Sequence, residues 1–340
     1  MGVTYRDAGI DIGKIKRSQA SIGRLIASTH NLQKGIKTKS GFGHYAGIVE
    51  IPGGRLLATH TDGVGTKVII AQMMRKYDTV GIDCVAMNVN DIICTGALPI
   101  SFVDYIAANR NDEGILKEIV KGLVRGAKKA MVPIVGGETA ILPDLIAGKN
   151  FSFDLAGMVV GMLNRGEMVL GDKIRRGDSI IGVRSSGLHS NGFSLARKVL
   201  LSKYSLKDRI RGIGMLGDAL LEPTEIYVTP VLQSLRQCNI HGLAHITGGA
   251  FTKLLRLKKT GFVLDSLPEP PEIFHLIENQ GVEKEEMYKT FNMGIGFCLI
   301  APGEEERKIL NIFRKHGLES EKIGRIEDRK GVFIDSLKIA

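Results

Sequence analysis

The segment His60-Thr61-Asp62-Gly63-Val64-Gly65-Thr66-Lys67 follows a β-type run directly and sets a carboxylate and an ammonium around two glycines. Glycine at that spacing lets backbone approach a ligand closely, the aspartate can hold a hard cation, and the lysine can meet phosphate oxygens. A tight strand-to-helix turn is the alternative reading. The chain has no GxxxxGK[ST] phosphate loop. A second group lies on the helical stretch Gly81–Cys94. At 100° per residue, Asp83, Asn90 and Asp91 fall within an arc of roughly 100°, and Val85, Ala86, Val89, Ile92 and Ile93 occupy the other side. A solvated helix face normally carries Lys, Glu and Arg, and this one carries none. Short acids without compensating cations suit magnesium, which takes one or two carboxylates plus substrate phosphates.

Three further segments have the same small, polar character. In Val135-Gly136-Gly137-Glu138-Thr139 a carboxylate is expected just past the end of a short apolar strand, where α/β sheets present ligands; a simple turn fits equally well. Ser185-Ser186-Gly187-Leu188-His189-Ser190-Asn191-Gly192 puts hydroxyls, an amide and backbone N–H groups at a helix start, which makes a phosphate nest. His189 can donate to an anion there, transfer a proton, or serve only as a structural residue. His245-Ile246-Thr247-Gly248-Gly249 resembles it in composition. Two signals are set aside. The literal GxGxxG at Gly212–Gly217 has no convincing strand before it and reads as a loop. Cys238, His241 and His245 have ligand-like spacing but no fourth partner for zinc.

These segments need a scaffold of alternating strands and helices. Strands are expected at Gly54–Thr59, Ser101–Ala107, Val132–Val135 and Phe151–Leu163, with His60–Lys67 as a loop and helices at Val80–Leu98 and Asp112–Lys129. Around Asn164–Gly177 the texture turns to Gly, Asp, Lys and Arg, which marks a linker. The second half restarts with a strand at Asp178–Val183 and helices near Phe193–Leu201 and Glu225–Arg236. Then follow a glycine-broken strand at Phe291–Ile300, a helix at Lys308–Lys315 and a strand at Lys330–Leu337. Strands alternating with helices in both halves predict two α/β domains, 1–168 and 169–340.

Composition agrees. The 340 residues include 42 glycines against 10 prolines, yet 44% are hydrophobic, so the glycine marks tight turns and close backbone approaches rather than disorder. The formal charge is +10, but its clusters (residues 34–39, 125–129, 173–176, 207–211 and 256–259) are scattered along the chain. With 12 Phe, 7 Tyr and no Trp, stacking platforms for nucleic acid are not expected. The four cysteines, Cys84, Cys94, Cys238 and Cys298, form no CxxC pair and sit in apolar surroundings, which suits free thiols in a reducing compartment. No stretch approaches 18 apolar residues, and the N-terminal segment has no secretory h-region. A cytoplasmic protein with no membrane and no nucleic-acid partner is the expectation.

The segments TDGVGTK (Thr61–Lys67), GIDCVAMNVND (Gly81–Asp91), DIICTGALP (Asp91–Pro99) and GGETA (Gly136–Ala140) resemble the ATP-binding half of the phosphoribosylformylglycinamidine cyclo-ligase family, the aminoimidazole ribonucleotide synthetases. SSGLHSNGFSL, PTEIYV, HITGG and MYKTFNMGIGF continue the resemblance through the second half, so that it runs from TYRDAG at Thr4 to Ile334. It implies an α/β two-domain chain whose N-terminal domains join strands into a shared barrel in a homodimer. It also implies ATP- and Mg2+-dependent ring closure of formylglycinamidine ribonucleotide to aminoimidazole ribonucleotide, through an iminophosphate, in purine synthesis.

Carried onto this chain, the resemblance makes Asp62, Asp83, Asp91 and Glu138 the magnesium ligands. Gly41, Gly43, Asp62, Gly63, Gly65, Thr66, Lys67, Asp91, Gly137 and Glu138 become the ATP contacts. Ser186, Gly187, His189, Ser190, Asn191, His245, Thr247 and Asn292 face the ribonucleotide substrate, and Asp62, Lys67, Asp91 and His189 are the catalytic set. The chain departs from the family pattern in three places. The loop SGFGHYAG (Ser40–Gly47) is poorer in glycine, with Lys34, Lys37 and Lys39 as candidate nucleotide lysines. Ala250 stands for a third glycine, and Glu225 for a basic residue. A small-molecule kinase of the same superfamily, such as thiamine-monophosphate kinase, is the alternative; it shares the acidic half but not the HSNG and TFNMGIG segments.

Overall fold

Phe153, Leu155, Val159 and Leu163 alternate with Asp154, Met158 and Asn164, and the first set is buried while the second is exposed. That period of two is the mark of a strand with one covered face. In the computed structural model, which describes residues 4, 7–9, 11–41, 43–148 and 150–340, this strand is central to a mixed sheet. Tyr5, Arg6 and Phe42, part of the motifs read above, lie outside the described residues.

After helix α1 (Ile12–Ala27), the first sheet holds β1 (Lys37–Thr38), β2 (Gly47–Glu50), β3 (Arg55–Gly63), β4 (Leu98–Ala108), β5 (Ile134–Ile141) and β6 (Phe153–Asn164), in the order β1-β2-β3-β6-β4-β5. All pairings are antiparallel except β4–β5. Helices α2 (Lys67–Met74), α3 (Val80–Ile93) and α4 (Glu113–Ala130) complete this half. Asp112 caps α4, its side chain accepting from the Ile115 N–H. Helices α3 and α4 cross at glycines. A Cβ on Gly81 would stand 2.3 Å from the Leu123 nitrogen, so no larger residue fits that seam.

Residues 165–178 connect the halves with one 3-10 turn, Arg165–Glu167. Beyond them come β7 (Ser179–Arg184), α5 (Phe193–Leu200), the two-residue strands β8 (Arg209–Ile210) and β9 (Gly214–Met215), α6 (Leu216–Leu221), α7 (Val228–Gln237) and β10 (Gly242–His245). Then follow β11 (Gly261–Leu264), α8 (Glu272–Glu278), α9 (Lys284–Thr290), β12 (Ile295–Ala301), α10 (Glu306–Lys315), β13 (Ser320–Glu327), β14 (Gly331–Ile334) and β15 (Leu337–Lys338). Seven of these strands form the second sheet, ordered β10-β12-β7-β13-β11-β14-β15, with β11–β14 its parallel pair. The chain has a mixed α/β architecture with one large sheet in each half and a two-stranded hairpin, β8–β9, in the second.

The expected elements differ from the observed ones mainly at their ends. Strand β3 continues to Gly63, so His60 and Asp62 are strand residues rather than loop residues. Helix α3 stops at Ile93, and a turn through Gly96 (φ 87°) leads into β4. Helix α7 starts at Val228, leaving Glu225–Tyr227 extended or turned. Gly136-Gly137 does not end β5: the parallel ladder with β4 carries the strand on to Ile141, and Glu138 lies inside it. The final strand expected at Lys330–Leu337 is the hairpin β14–β15. Gly212–Gly217 spans a short hairpin and the start of α6, not a nucleotide loop.

Candidate active site between the two halves

Helix α3 is the axis of the site. It touches β3, β6 and α4 on one side and α7 and β10 of the second half on the other. Every residue of it except Ile82 is buried. The polar stripe therefore does not face solvent. It faces the second half, and each polar group on it is answered there or by β3.

Asp83 opens the stripe. Its Oδ1 accepts from Lys67 Nζ at 2.9 Å, from the Thr224 N–H at 2.7 Å and from Thr224 Oγ1 at 2.6 Å. Lys67 Nζ also donates to the Glu222 carbonyl at 2.6 Å, and both Lys67 and Asp83 are 0% exposed. Burial pulls the Lys67 ammonium below its usual range and Asp83 pulls it back up. This pair is a bolt between the halves. Eight residues at 1.5 Å rise separate Asp83 from Asp91 by about 12 Å along the helix, so the two cannot share one ion.

Asn88 fixes the other partner. Its Oδ1 accepts from the Asp62 N–H at 2.9 Å and its Nδ2 donates to the Asp62 carbonyl at 3.1 Å. The amide thus substitutes for a neighbouring strand and holds Asp62 at the end of β3. Asp62 Oδ1 accepts from the Gly63 N–H at 2.8 Å. Asp104 flanks the same row of the sheet, since Gly157 pairs with both Asp62 and Asp104.

Asp91 lies at the far end of the stripe, 3% exposed. Its Oδ1 stands 2.7 Å from His245 Nδ1, and its Oδ2 3.7 Å from His60 Nε2. Burial alone pushes the Asp91 carboxyl up, but the Lys253 charge, the His245 hydrogen bond and His60 outweigh it and hold it well below the usual carboxylate range. Asp62 goes the other way, raised by burial and by the Asp91 charge, with Lys253, His60 and the Gly63 N–H opposing. The Asp91 charge raises Asp62 while Asp91 itself is held ionised, and a pair of short acids in that state could hold a hard cation. Their donor set, two short acids with one held ionised, fits magnesium; Asp83 and Glu138 are not part of it. Among the described residues no group of three or more His, Cys, Asp or Glu is arranged around a single ion.

Lys253 faces these carboxylates from the second half, on the 3-10 segment Ala250–Arg256 that follows Gly248-Gly249. Its Nζ donates to Thr247 Oγ1 and stands 5.6 Å above the Tyr45 ring, with the Arg256 guanidinium 5.7 Å from the same ring. Tyr45 is fully buried. Gly41 and Gly43 lie on the exposed loop just before it, so that loop enters the same region. Of the three candidate lysines there, Lys39 is engaged by Glu50 at 2.6 Å. Gly65 and Thr66 are exposed at the start of α2, where Thr66 Oγ1 is 3.2 Å from Ser194 Oγ.

The loop 185–192 closes the site from the second half. Ser186 is exposed and its Oγ donates to the Pro223 carbonyl at 2.5 Å; Ser190 Oγ is 3.1 Å from Thr224 Oγ1. His189 is 1% exposed and has a positive φ of 61°. Its Nε2 accepts from the Ser186 N–H at 3.2 Å, which leaves the proton on Nδ1, a buried atom without a hydrogen-bond partner among the described residues. Burial, His245 and Lys67 hold this ring well below the usual histidine range. A Cβ on Gly296 would meet Tyr227 Oη at 2.1 Å and His189 Cε1 at 2.5 Å, so the glycine in MGIGF makes room for both rings. Gly187 is held by Asn292, whose Nδ2 donates to its carbonyl at 2.9 Å while Oδ1 accepts from Ser185 Oγ and the Gly294 N–H. Asn191 lies beside Gly248.

The structure thus brings together Asp62, Asp91, His245, Thr247 and the loop 185–192. It joins Lys67 and Asp83 to each other, away from the carboxylate pair. Gly137 and Glu138 are exposed on the edge strand β5, where Glu138 pairs with Tyr105 on the uncovered face of the sheet. Residue type and spacing do not mark out His60, Asn88 or Lys253. The first two sit inside the glycine-loop and helical motifs, whereas Lys253 has no sequence signal beyond its place after HITGG. The discarded zinc group separates: His241 Nδ1 pairs with Asp178 at 2.7 Å, His245 with Asp91, and burial raises the Cys238 thiol to about 11. No described helix is long and apolar enough to cross a membrane.

Comparison with known proteins extends these observations. Residues 43–163 match the family model described as AIR synthase related protein, N-terminal domain, and residues 175–336 the corresponding C-terminal domain. The phosphoribosylformylglycinamidine cyclo-ligase of Thermococcus gammatolerans is 45% identical over 339 residues, covering 99% of both chains. That of Methanocaldococcus jannaschii is 48% identical over 332 residues, 96% of this chain and 93% of the relative. A thiamine-monophosphate kinase from Stenotrophomonas maltophilia superposes with a TM-score of 0.65, covering 94% of this chain and 96% of that one, at 19% identity. That last likeness is one of fold.

Proposed function

This chain belongs to the phosphoribosylformylglycinamidine cyclo-ligase family, a family of ligases, and we propose on that premise that it closes the imidazole ring of aminoimidazole ribonucleotide at the expense of ATP. The observation that carries the reading is the meeting of Asp62 and Asp91, from the first half, with His245, Thr247 and Lys253, from the second. A phosphoryl group passing from nucleotide to a second substrate must be reachable from both partners, and this is where the halves face each other.

The formyl oxygen of the substrate is a poor leaving group as it stands. It attacks the terminal phosphorus of ATP, the bond to the bridging oxygen breaks, and ADP departs. The ribose-bearing amidine nitrogen then attacks the activated carbon. Its C–O bond breaks, phosphate leaves and a proton goes to solvent. Such chemistry needs charge compensation and positioning more than a protein nucleophile. Asp62 and Asp91 would hold magnesium, which supplies charge neutralisation at the phosphates. Asn88 and His245 orient those two carboxylates, as groups behind metal ligands do. Lys67 and Asp83 keep α2 and α3 registered against Glu222–Thr224, and His189, kept neutral, holds the Ser186 backbone of the loop that would meet the ribonucleotide.

The division of labour follows: residues 1–168 carry nucleotide and metal, 169–340 the ribonucleotide. We further assign the uncovered face of the first sheet to a homodimer of barrel type. Leu98 (50% exposed), Tyr105 (41%) and Met158 (40%) are on that face, with Val103 and Met162 in register beside them. Glu138 stands on the same face and belongs to that contact in this reading. The cytoplasm is the expected compartment. Incubation with formylglycinamidine ribonucleotide, ATP and magnesium should yield aminoimidazole ribonucleotide and ADP. No product, with thiamine monophosphate phosphorylated instead, would overturn it.

A further inference from the structure

Lys253 is 8% exposed, and a buried ammonium is costly unless an anion answers it. An ammonium has three donors. One goes to Thr247 Oγ1, and no described carboxylate lies within ion-pair distance of it. The other buried lysine, Lys67, differs on each count, with a carboxylate at 2.9 Å and a carbonyl at 2.6 Å. Tyr45 lies below the Lys253 ammonium and Arg256 beside that ring. Asp62 and Asp91 are near enough for their charges to act on it without touching it. The ammonium therefore feels the charge of two acids while its hydrogen bond goes to Thr247.

We propose that Lys253 is a catalytic residue that meets the terminal phosphoryl oxygens of ATP from the second half, opposite the carboxylates of the first. The proposal rests on the ATP-dependent reading above. Two features favour the terminal phosphoryl over the substrate's own phosphate. Lys253 feels the charge of the acids assigned to nucleotide, and the transferred group alone must contact both halves. A cation there gains contact as charge develops on the equatorial oxygens, and no proton need move.

The test compares the full chain with Lys253→Met and Lys253→Arg, titrated with the non-hydrolysable analogue AMPPCP or with ADP, each with magnesium, alongside turnover. Lys253→Met removes a buried ammonium that is costly to desolvate but also the charge that favours ionised Asp91, so its thermal midpoint should stay near the parent's. It should bind ADP like the parent and AMPPCP about tenfold more weakly, and lose about 100-fold in kcat. Lys253→Arg should recover part of both. Equal losses for ADP and AMPPCP, no loss for either, or a raised KM for the ribonucleotide with AMPPCP binding intact would overturn the assignment. Should the Met variant fail to fold, Lys253→Gln is read by the same ratio. A parent chain that binds neither nucleotide overturns the ATP reading itself, a result distinct from an unchanged AMPPCP-to-ADP ratio in the variants.

Discussion

His245 and Asp91 meet across the boundary between the halves, Nδ1 to Oδ1 at 2.7 Å, with the histidine completely buried and the aspartate nearly so. The amide of Asn90 sets which ring nitrogen carries the proton. Its Oδ1 accepts from the Tyr227 N–H and its Nδ2 donates to the Glu225 carbonyl, so its NH2 group also faces His245 Nε2 at 3.4 Å. Nε2 is therefore the acceptor, and Nδ1–H points at Asp91. Asn90→Asp should draw a second proton onto the ring and leave the Glu225 carbonyl facing a carboxylate. The expected outcome is a stability loss of about 1–3 kcal/mol, with imidazolium shifts for His245 in 15N NMR at neutral pH. A ring that stays neutral would show that Asn90 does not set the tautomer.

Lys67 and Asp83 should behave as a structural pair. Removing one member of a buried ion pair leaves the other charge unanswered, typically at about 3–5 kcal/mol. Lys67→Met and Asp83→Asn should each lower the denaturation midpoint by that order, and the double variant Lys67→Met/Asp83→Leu should recover part of the loss. Magnesium-dependent nucleotide binding per folded molecule should be unchanged in all three. A specific loss of magnesium affinity in Asp83→Asn would return that residue to the metal site.

Stability should fall on mild acidification because of buried histidines. Burial holds His189 well below its ordinary value and also lowers His245 and His44. In the unfolded chain these rings take up protons as pH falls through about 6.5, whereas in the folded chain they do not until lower pH. The unfolded state binds more protons, so stability is full above about 6.5 and is lost progressively below it. The slope is up to about 1.4 kcal/mol per pH unit for each ring. His189→Asn tolerates the positive φ and keeps an acceptor for the Ser186 N–H. It should flatten the midpoint-against-pH curve between pH 7 and 5, and an unchanged slope would mean the ring titrates normally.

The uncovered sheet face gives a fourth outcome. Thr61 and Val103 flank Met158 in register on the central strand β6. Met158→Asp would put a charge in the middle of the proposed apolar contact while leaving the covered face untouched. Sedimentation should show a dimer for the parent and a monomer for the variant at equal thermal stability of the fold. A parent that sediments as a monomer would remove the barrel assignment.

Much of this site was legible because its motifs lie on elements with clear periods. Asp62 stands at the end of an apolar strand, Asp91 rides a 3.6-residue pattern, and the two glycine loops of the second half announce themselves by composition. Periodicity cannot say what covers a polar face, however. The stripe on α3 reads the same whether water, a metal or another domain lies over it, so periodicity does not separate Asp83, paired with Lys67, from Asp91. Lys67 reads as the working cation from its place in a motif. Its burial against Asp83, and the position of Lys253, depend on contacts between distant parts of the chain. Glu138 lies inside a strand and not past its end because, although a glycine pair usually ends a strand, an edge ladder with β4 carries β5 through it.

The sharpest test of the carboxylate pair is Asp91→Asn against Asp62→Asn. The Asp91 amide keeps the shape and a hydrogen bond to His245 but removes the charge nearest Lys253 on the acid side. With magnesium it should lose about 10²–10³-fold in kcat, and without nucleotide it should be modestly less stable at neutral pH, since the Lys253 and His245 interactions favour the ionised form. That deficit should vanish in acid. Asp91 is held below its usual range, so its contribution is present above the unfolded carboxylate pKa of about 3.9 and disappears as pH falls through the folded value. Asp62 is raised, so Asp62→Asn removes a charge that folding disfavours and should leave stability level or higher, while still costing turnover. Opposite signs in stability with a shared loss of activity are what two acids around one cation require. If both variants lost stability alike and kept kcat, the pair would be structural and the phosphoryl-transfer centre would lie elsewhere.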